Sequence, residues 1–190
     1  GTNSSTSTAA TASSSNRPSY VLKYTLKGHQ DSVSSVKFSP DGKWLASACK
    51  KYTNSKTVFY FSLANDSTVK LWHATTGKFE FTFEGHKAGI SDITWTDNSK
   101  FIISASDDGT LIAWDVEKRV LARTFVGHKN YVFCVAFDAR EDIIASGSFD
   151  QTIKLWDFNT GRCLETFAEH TEPVSSVHFN KEGSLLVSGG

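Results

Sequence analysis

Three stretches of the chain follow the alternation of apolar and polar positions expected of half-buried strands: Ile90 to Trp95, Val132 to Phe137 and Val174 to Phe179. Each opens the same succession. After a turn comes a second strand ending in Ser-x-Ser, as at Ser104-Ala105-Ser106 and Ser146-Gly147-Ser148. A tight turn carrying Asp108 or Asp150 follows, and then a third strand ending on Trp114 or Trp156. A Thr-Gly or similar turn leads into a fourth strand before the next unit. The Val, Ile, Phe, Trp and Thr content of these runs favours strands.

The succession has a fixed period. His86, His128 and His170 are 42 residues apart, as are Trp72, Trp114 and Trp156, and Asp66, Asp108 and Asp150. Four short strands per unit of this length is the signature of a propeller blade. The first unit departs from it, since His29 to His86 spans 57 residues. Ser47 and Asp66 are 19 apart, whereas Ser104 to Asp108 and Ser146 to Asp150 are each 4. The surplus of fifteen residues is placed at 49–63, in the turn between second and third strands. One reading is a translated intron. Cys49-Lys50 can be encoded by codons holding a splice donor, and Phe61 to Ala64 by a pyrimidine-rich run ending in an acceptor. In-frame excision would leave a serine between Ala48 and Asn65 and restore a regular blade. The competing reading is a genuine long loop at the surface.

His86, Ser104 or Ser106, Asp108 and Trp114 contain the residue types of a Ser-His-Asp triad. The set recurs in every unit, with His29, Asp66 and Trp72 in the first and His128, Asp150 and Trp156 in the third. An active site does not need three copies. These side chains instead satisfy each other's donors and acceptors and tie the strands of a blade together. No glycine-rich phosphate loop, metal-ligand cluster or lone carboxylate pair is present, so no enzyme activity, cofactor or metal is expected. Lys plus Arg and Asp plus Glu are both 20, which leaves no broad basic field for direct nucleic-acid contact. No apolar run is long enough to span a membrane. Residues 1–17 form a Ser/Thr/Ala-rich tract expected to be a disordered tail without a secretory signal, and the partial propeller is expected over 18–190. Cys49, Cys134 and Cys163 are odd in number with no CxxC pair, and read as reduced thiols. The sequons at Asn3 and Asn65 read as chance.

Residues that differ between units at equivalent positions carry the specific information. Just after the first apolar residue of each first strand stand Ser34, Ser91, Phe133 and Ser175. Two positions earlier stand Ser32, Gly89, Tyr131 and Pro173, and just before the turn aspartate stand Asn65, Asp107 and Phe149. In a propeller these cluster at one mouth of the channel. Tyr131, Phe133 and Phe149 would form an aromatic patch beside Asp107, suited to a cation such as an arginine side chain or an N-terminal amine. The alternative is that Phe133 and Phe149 only pack between blades.

Several segments together resemble one family: Val33 to Ser47, Gly85 to Asp92, Ser104 to Asp108, Asn130 to Cys134, Ser146 to Asp150 and Pro173 to Asn180. The sequence is similar to the WD-repeat subunit of MLL-type (COMPASS) histone lysine-four methyltransferase complexes over about Pro18 to Gly190, apart from the insert. The resemblance implies an all-β WD-repeat β-propeller of seven blades, of which this chain carries about three and a half. It implies a nuclear scaffold whose channel mouth takes an arginine from a histone tail or from the methyltransferase catalytic subunit. Phe133 would stack on the guanidinium, the Ser175 carbonyl would accept from it, and Asp107 would meet the peptide's N-terminal side. Ser91, Tyr131 and Phe149 would line the pocket, with Ser34 in the same ring.

The chain departs from that family at Asn65, where alanine is usual, and at Gly190, which falls within the second strand of a fourth blade. The pocket's second aromatic and the surface for another subunit would lie in the remaining half. Tyr20 to Leu26 looks like the outer strand that would close a final blade, and here it has no partner blade. Open strand edges predict aggregation and weak arginine binding by the 190-residue chain alone. The other functional class is a different WD-repeat adaptor, such as a ubiquitin-ligase substrate receptor or a cytoplasmic assembly scaffold.

Overall fold

A computed structural model describes residues 20–50, 66–140 and 142–190. The expected tail, residues 51–63 of the expected insert, and Asn65 lie outside the described residues. Among those described, all regular structure is strand, arranged as three four-stranded antiparallel sheets and one two-stranded sheet.

The first blade runs β1 (Ser32–Phe38), β2 (Trp44–Lys50), β3 (Val69–His73) and β4 (Phe79–Phe83). The second runs β5 (Ile90–Trp95), β6 (Phe101–Ser106), β7 (Thr110–Asp115) and β8 (Val120–Val126). The third runs β9 (Val132–Asp138), β10 (Ile143–Ser148), β11 (Ile153–Asp157) and β12 (Cys163–Phe167). β13 (Ser176–Phe179) and β14 (Leu186–Gly189) form the two-stranded sheet. Within each sheet the strands follow chain order, and every connection except the one from β2 to β3 is a short turn. Gly109 and Gln151 hold equivalent places after the second strand, with φ of 80° and 67°. Glycine takes that left-handed conformation freely, whereas glutamine is strained by it.

The first strands β1, β5, β9 and β13 lie side by side, and the blades stack around them. The core is correspondingly divided. One cluster joins blades one and two through Leu71, Phe83, Ile90, Ile93, Ile102 and Trp114. A second joins blades two and three through Ile103, Leu111, Phe125, Val132, Ile144 and Trp156. A third packs blade three on the two-stranded sheet through Cys134, Ala145, Val174 and Val177. A single blade cannot bury both its faces, so adjacent sheets supply the missing partner.

One expectation changes here. Cys49 and Lys50 belong to β2 rather than to an insert: they pair with Val33 and Ser32 of β1. Cys49 thus takes the place of Ser106 and Ser148, and Lys50 that of Asp107 and Phe149. The surplus residues therefore begin after Lys50, because the ladder to β1 holds the chain in register that far. Tyr20 to Leu26 forms no strand, and Tyr20, Val21 and Leu22 are exposed, because no described strand lies alongside to pair with them. Tyr24 alone is anchored, donating its hydroxyl to the Thr75 carbonyl at 2.8 Å.

Candidate binding site at the mouth of the inner strands

The recurrent polar sets hold the site's walls. In the second blade the buried Ser104 hydroxyl is the hub. Trp114 Nε1 donates to its oxygen at 2.9 Å, and His86 Nε2 lies 2.7 Å away as acceptor. His86 Nδ1 then donates to Asp108 at 2.8 Å. This assignment gives every donor one acceptor, and it selects Ser104 over Ser106. Ser106 instead donates to the Gly89 carbonyl at 3.0 Å. Trp72, Ser47, His29 and Asp66 repeat the relay in blade one, and Trp156, Ser146, His128 and Asp150 in blade three. His170 and Ser188 begin a fourth, 2.8 Å apart.

Electrostatics agree with neutral imidazoles donating to carboxylates. Burial lowers the pKa of His29 and His128, outweighing their aspartate partners. For Asp150 burial pulls upward, yet hydrogen bonds from Thr152, the Lys129 N–H and His128 hold the carboxyl well below its ordinary range. Asp108 is held down similarly by His86 and Thr110, and Asp66 by Thr68, Gln30 N–H and His29. The Ser104 and Ser146 hydroxyls are fully buried and their oxygens accept from Trp114 and Trp156, which leaves no face open to a substrate.

His29, Cys49 and Asp66 form a grouping with metal-ligand spacing, their ligand atoms all within 4.8 Å of one another. His29 and Asp66 are engaged in the relay, and burial first, then the Asp66 charge, pushes the Cys49 thiol up to about 12. Metal binding would have to break that relay and deprotonate the thiol.

The positions singled out along the inner strands share a backbone device. The pairing registers of β1 with β2, β5 with β6, and β10 with β9 each skip one residue, and the skipped residues are Ser34, Ser91 and Phe133. A bulge leaves its extra residue out of the ladder and re-aims the side chain. Ser175 precedes β13 and is held by its N–H to the Gly189 carbonyl at 2.8 Å.

The structure brings most of the expected site together. Phe149 packs edge-on to Phe133 with ring centroids 5.9 Å apart, and Tyr131 lies 6.1 Å from Phe149. Tyr131 and Phe149 remain 48% and 46% exposed, while Phe133 is half-buried. Ser91 donates to Asp107 at 3.0 Å. Ser34 is committed elsewhere, donating to the Ile90 carbonyl of the next blade at 2.5 Å. Among the described residues, no hydrogen bond joins Ser175 to Asp107 or Ser91.

Sequence reasoning missed the residue at the centre. Lys50 Nζ lies 3.2 Å from Asp107 Oδ1, donates to Ser91 Oγ at 3.0 Å, and stands 5.2 Å from the Phe133 ring centroid. An ammonium thus sits where a carboxylate, a hydroxyl and an aromatic face converge. The spacing matches only once the surplus is placed after Lys50, which then follows Ser47 by the same three positions that separate Asp107 from Ser104. A second residue without an assigned role, Asp92, accepts from Ser35 Oγ at 2.9 Å and from Val135 N at 3.2 Å, linking β1, β5 and β9. A cavity of about 460 Å³ opens at the opposite ends of the inner strands, lined by Lys37, Thr94, Phe137 and His178 among others. Its lining also holds the carboxylates Asp92, Asp97 and Asp138, set among Arg140 and Lys181 as well as Lys37.

The WD domain, G-beta repeat family matches residues 20–73, 77–115, 119–157 and 161–190. The Notchless protein homolog of Arabidopsis thaliana is 42% identical over 64 residues, covering 34% of this chain and 10% of that protein. Ribosome assembly protein 4 of Chaetomium thermophilum is 34% identical over 38% of this chain and 21% of its own length. The crystal structure of RRP9 WD40 repeats superposes with a TM-score of 0.69 at 22% identity, covering 80% of this chain and 43% of that one. The chain therefore spans less than half the length of each.

Proposed function

This chain belongs to the WD domain, G-beta repeat family, and we propose that it serves as a non-catalytic scaffold whose channel mouth holds a cationic side chain of a partner protein. The observation that carries this reading is the convergence of Asp107, Ser91 and Phe133 on one ammonium. A carboxylate supplies charge, a hydroxyl supplies direction, and a ring face supplies the quadrupole that attracts a cation. Arginine fits the same groups better than lysine, because its planar guanidinium stacks on a ring while donating to a carboxylate.

The larger assembly in which the scaffold works is read from the relatives. One is named as a ribosome assembly protein, which supports an assembly scaffold over other adaptor classes. A second reading is the nuclear WD-repeat subunit of a histone lysine-four methyltransferase complex. The clustering of Tyr131, Phe133 and Phe149 near Asp107 favours it, because the family resemblance places those residues around an arginine.

Titration of the complete parent protein with an arginine-containing peptide tests the site. Binding that Phe133→Ala weakens at least about tenfold is expected, as loss of a desolvated cation–π contact. Binding that is indifferent to Phe133→Ala sinks the pocket reading. Cross-linking and partner identification from cells then separates the assemblies: pre-ribosomal proteins support the first, methyltransferase subunits the second.

A further inference from the structure

We infer that Lys50 is a tethered stand-in for the partner's cation, so that this form of the chain closes its own binding site. The inference rests on the pocket reading above and concerns its regulation. Lys50 comes from the end of β2 in blade one, Ser91 and Asp107 come from blade two, and Phe133 comes from blade three. A single side chain therefore bridges three blades. Its ammonium and the Asp107 carboxylate are both largely shielded, with side chains 24% and 16% exposed.

A peptide guanidinium would need the same Asp107 oxygen and the same Phe133 face. Two cations cannot share them, because one carboxylate cannot neutralise both and their repulsion in a shielded site is large. Ser91 is engaged on both sides as well, donating to Asp107 and accepting from Lys50. A tethered competitor acts at high effective concentration, and apparent affinity falls by the fraction of open sites. The ammonium lacks arginine's planar fork, so it obstructs the site without sealing it.

The placement of Lys50 follows from the segment after β2. Where the second blade has Asp107 and the third has Phe149, the first has Lys50, followed at once by residues 51–65 before Asp66. The shorter form expected from excision replaces residues 49–64 by one serine and brings Asn65 to that position. A neutral residue then stands at the mouth. The long form is self-occupied and the short form is open.

Residue-resolved acylation of lysines in the full-length protein that carries residues 49–63 reads the contact directly. Lys50 is expected to react at least about fivefold more slowly than Lys118, whose side chain is 76% exposed, and Asp107→Asn should remove most of the difference. In parallel, a short arginine peptide is titrated against the same full-length protein, its Lys50→Ala and Lys50→Gln variants, and the Lys50→Ala, Phe133→Ala double variant. Both single variants should bind about tenfold more tightly than the parent, and the double variant should lose that gain. Lys50 that labels as fast as Lys118 with or without Asp107→Asn, or single variants that bind the peptide but no more tightly than a parent that also binds it, overturns the internal occupant and leaves the pocket reading in place. Slow labelling of Lys50 with no peptide binding by either single variant overturns the pocket reading instead, and its regulation with it.

Discussion

At the scale of single residues, the relay hubs are where one atom matters most. Ser104 is fully buried and serves both Trp114 and His86. Ser104→Ala leaves two buried polar groups without partners and should lower unfolding free energy by about 2–4 kcal/mol, measured by urea denaturation. The titrating groups give a pH dependence with a definite sign. His29 and His128 have folded pKa values below the ordinary 6.5, so the unfolded chain binds protons first as pH falls. Their contribution is complete above pH 6.5 and is lost below it. Asp108 and Asp150 are depressed below 3.8, so their contribution holds above that pH and is lost as pH falls further. Thermal scans from pH 8 to pH 3 should show Tm falling first below about 6.5 and more steeply below about 4. A Tm that stays flat or rises down to pH 4 contradicts the neutral-imidazole assignment.

At the scale of elements, the bulges set which side chains reach the mouth, and small residues set how closely strands approach. Gly147 on β10 shows the second effect. A Cβ there would fall 2.6 Å from Cys134 Sγ and 2.6 Å from Val174 Cγ1. The equivalent positions in blades one and two are Ala48 and Ala105, both fully buried, so a methyl is tolerated there. Blade three replaces it with neighbouring side chains that fill the space. Gly147→Ala should destabilise by about 1–3 kcal/mol through overpacking, read by equilibrium unfolding. An unchanged midpoint would mean that β13 is not packed on β10 as described.

For the whole molecule, stability is a chain of nearest-neighbour interfaces. Phe125 is fully buried on blade two and meets Trp156 of blade three edge-on, at 6.1 Å between centroids. Phe125→Ala should cost about 3–5 kcal/mol and should raise hydrogen exchange in β9 to β12 more than in β1 to β4. Uniform loss of protection across all blades would show that they unfold as one unit. Transcript sequencing across residues 49–64 decides between a spliced segment and a genuine loop: a shorter in-frame product is expected, and its absence removes the open form. The finding that Cys49 occupies the place of Ser106 and Ser148 agrees with the serine that excision would restore.

Much of this molecule is periodic, and periodicity is legible in a linear chain. The strand succession, the His-Ser-Asp-Trp sets and the aromatic positions near the mouth all follow from the 42-residue repeat. The strands and polar sets are specified by residue type at a fixed spacing and recur in three blades, whereas the mouth aromatics stand out because their equivalents in blades one and two differ. Spacing alone could not choose Ser104 over Ser106, since both lie in the same strand, and only the direction of the Trp114 and His86 side chains separates them. Nor could it show that Ser34, Ser91 and Phe133 are bulged, because a bulge is a mismatch between two strands and exists only once they pair. The same cause hid Lys50. A surplus between Ser47 and Asp66 can be placed anywhere in that interval on sequence grounds. The hydrogen-bond ladder from β1 decides how far β2 extends, and it carries Lys50 to Asp107, Ser91 and Phe133.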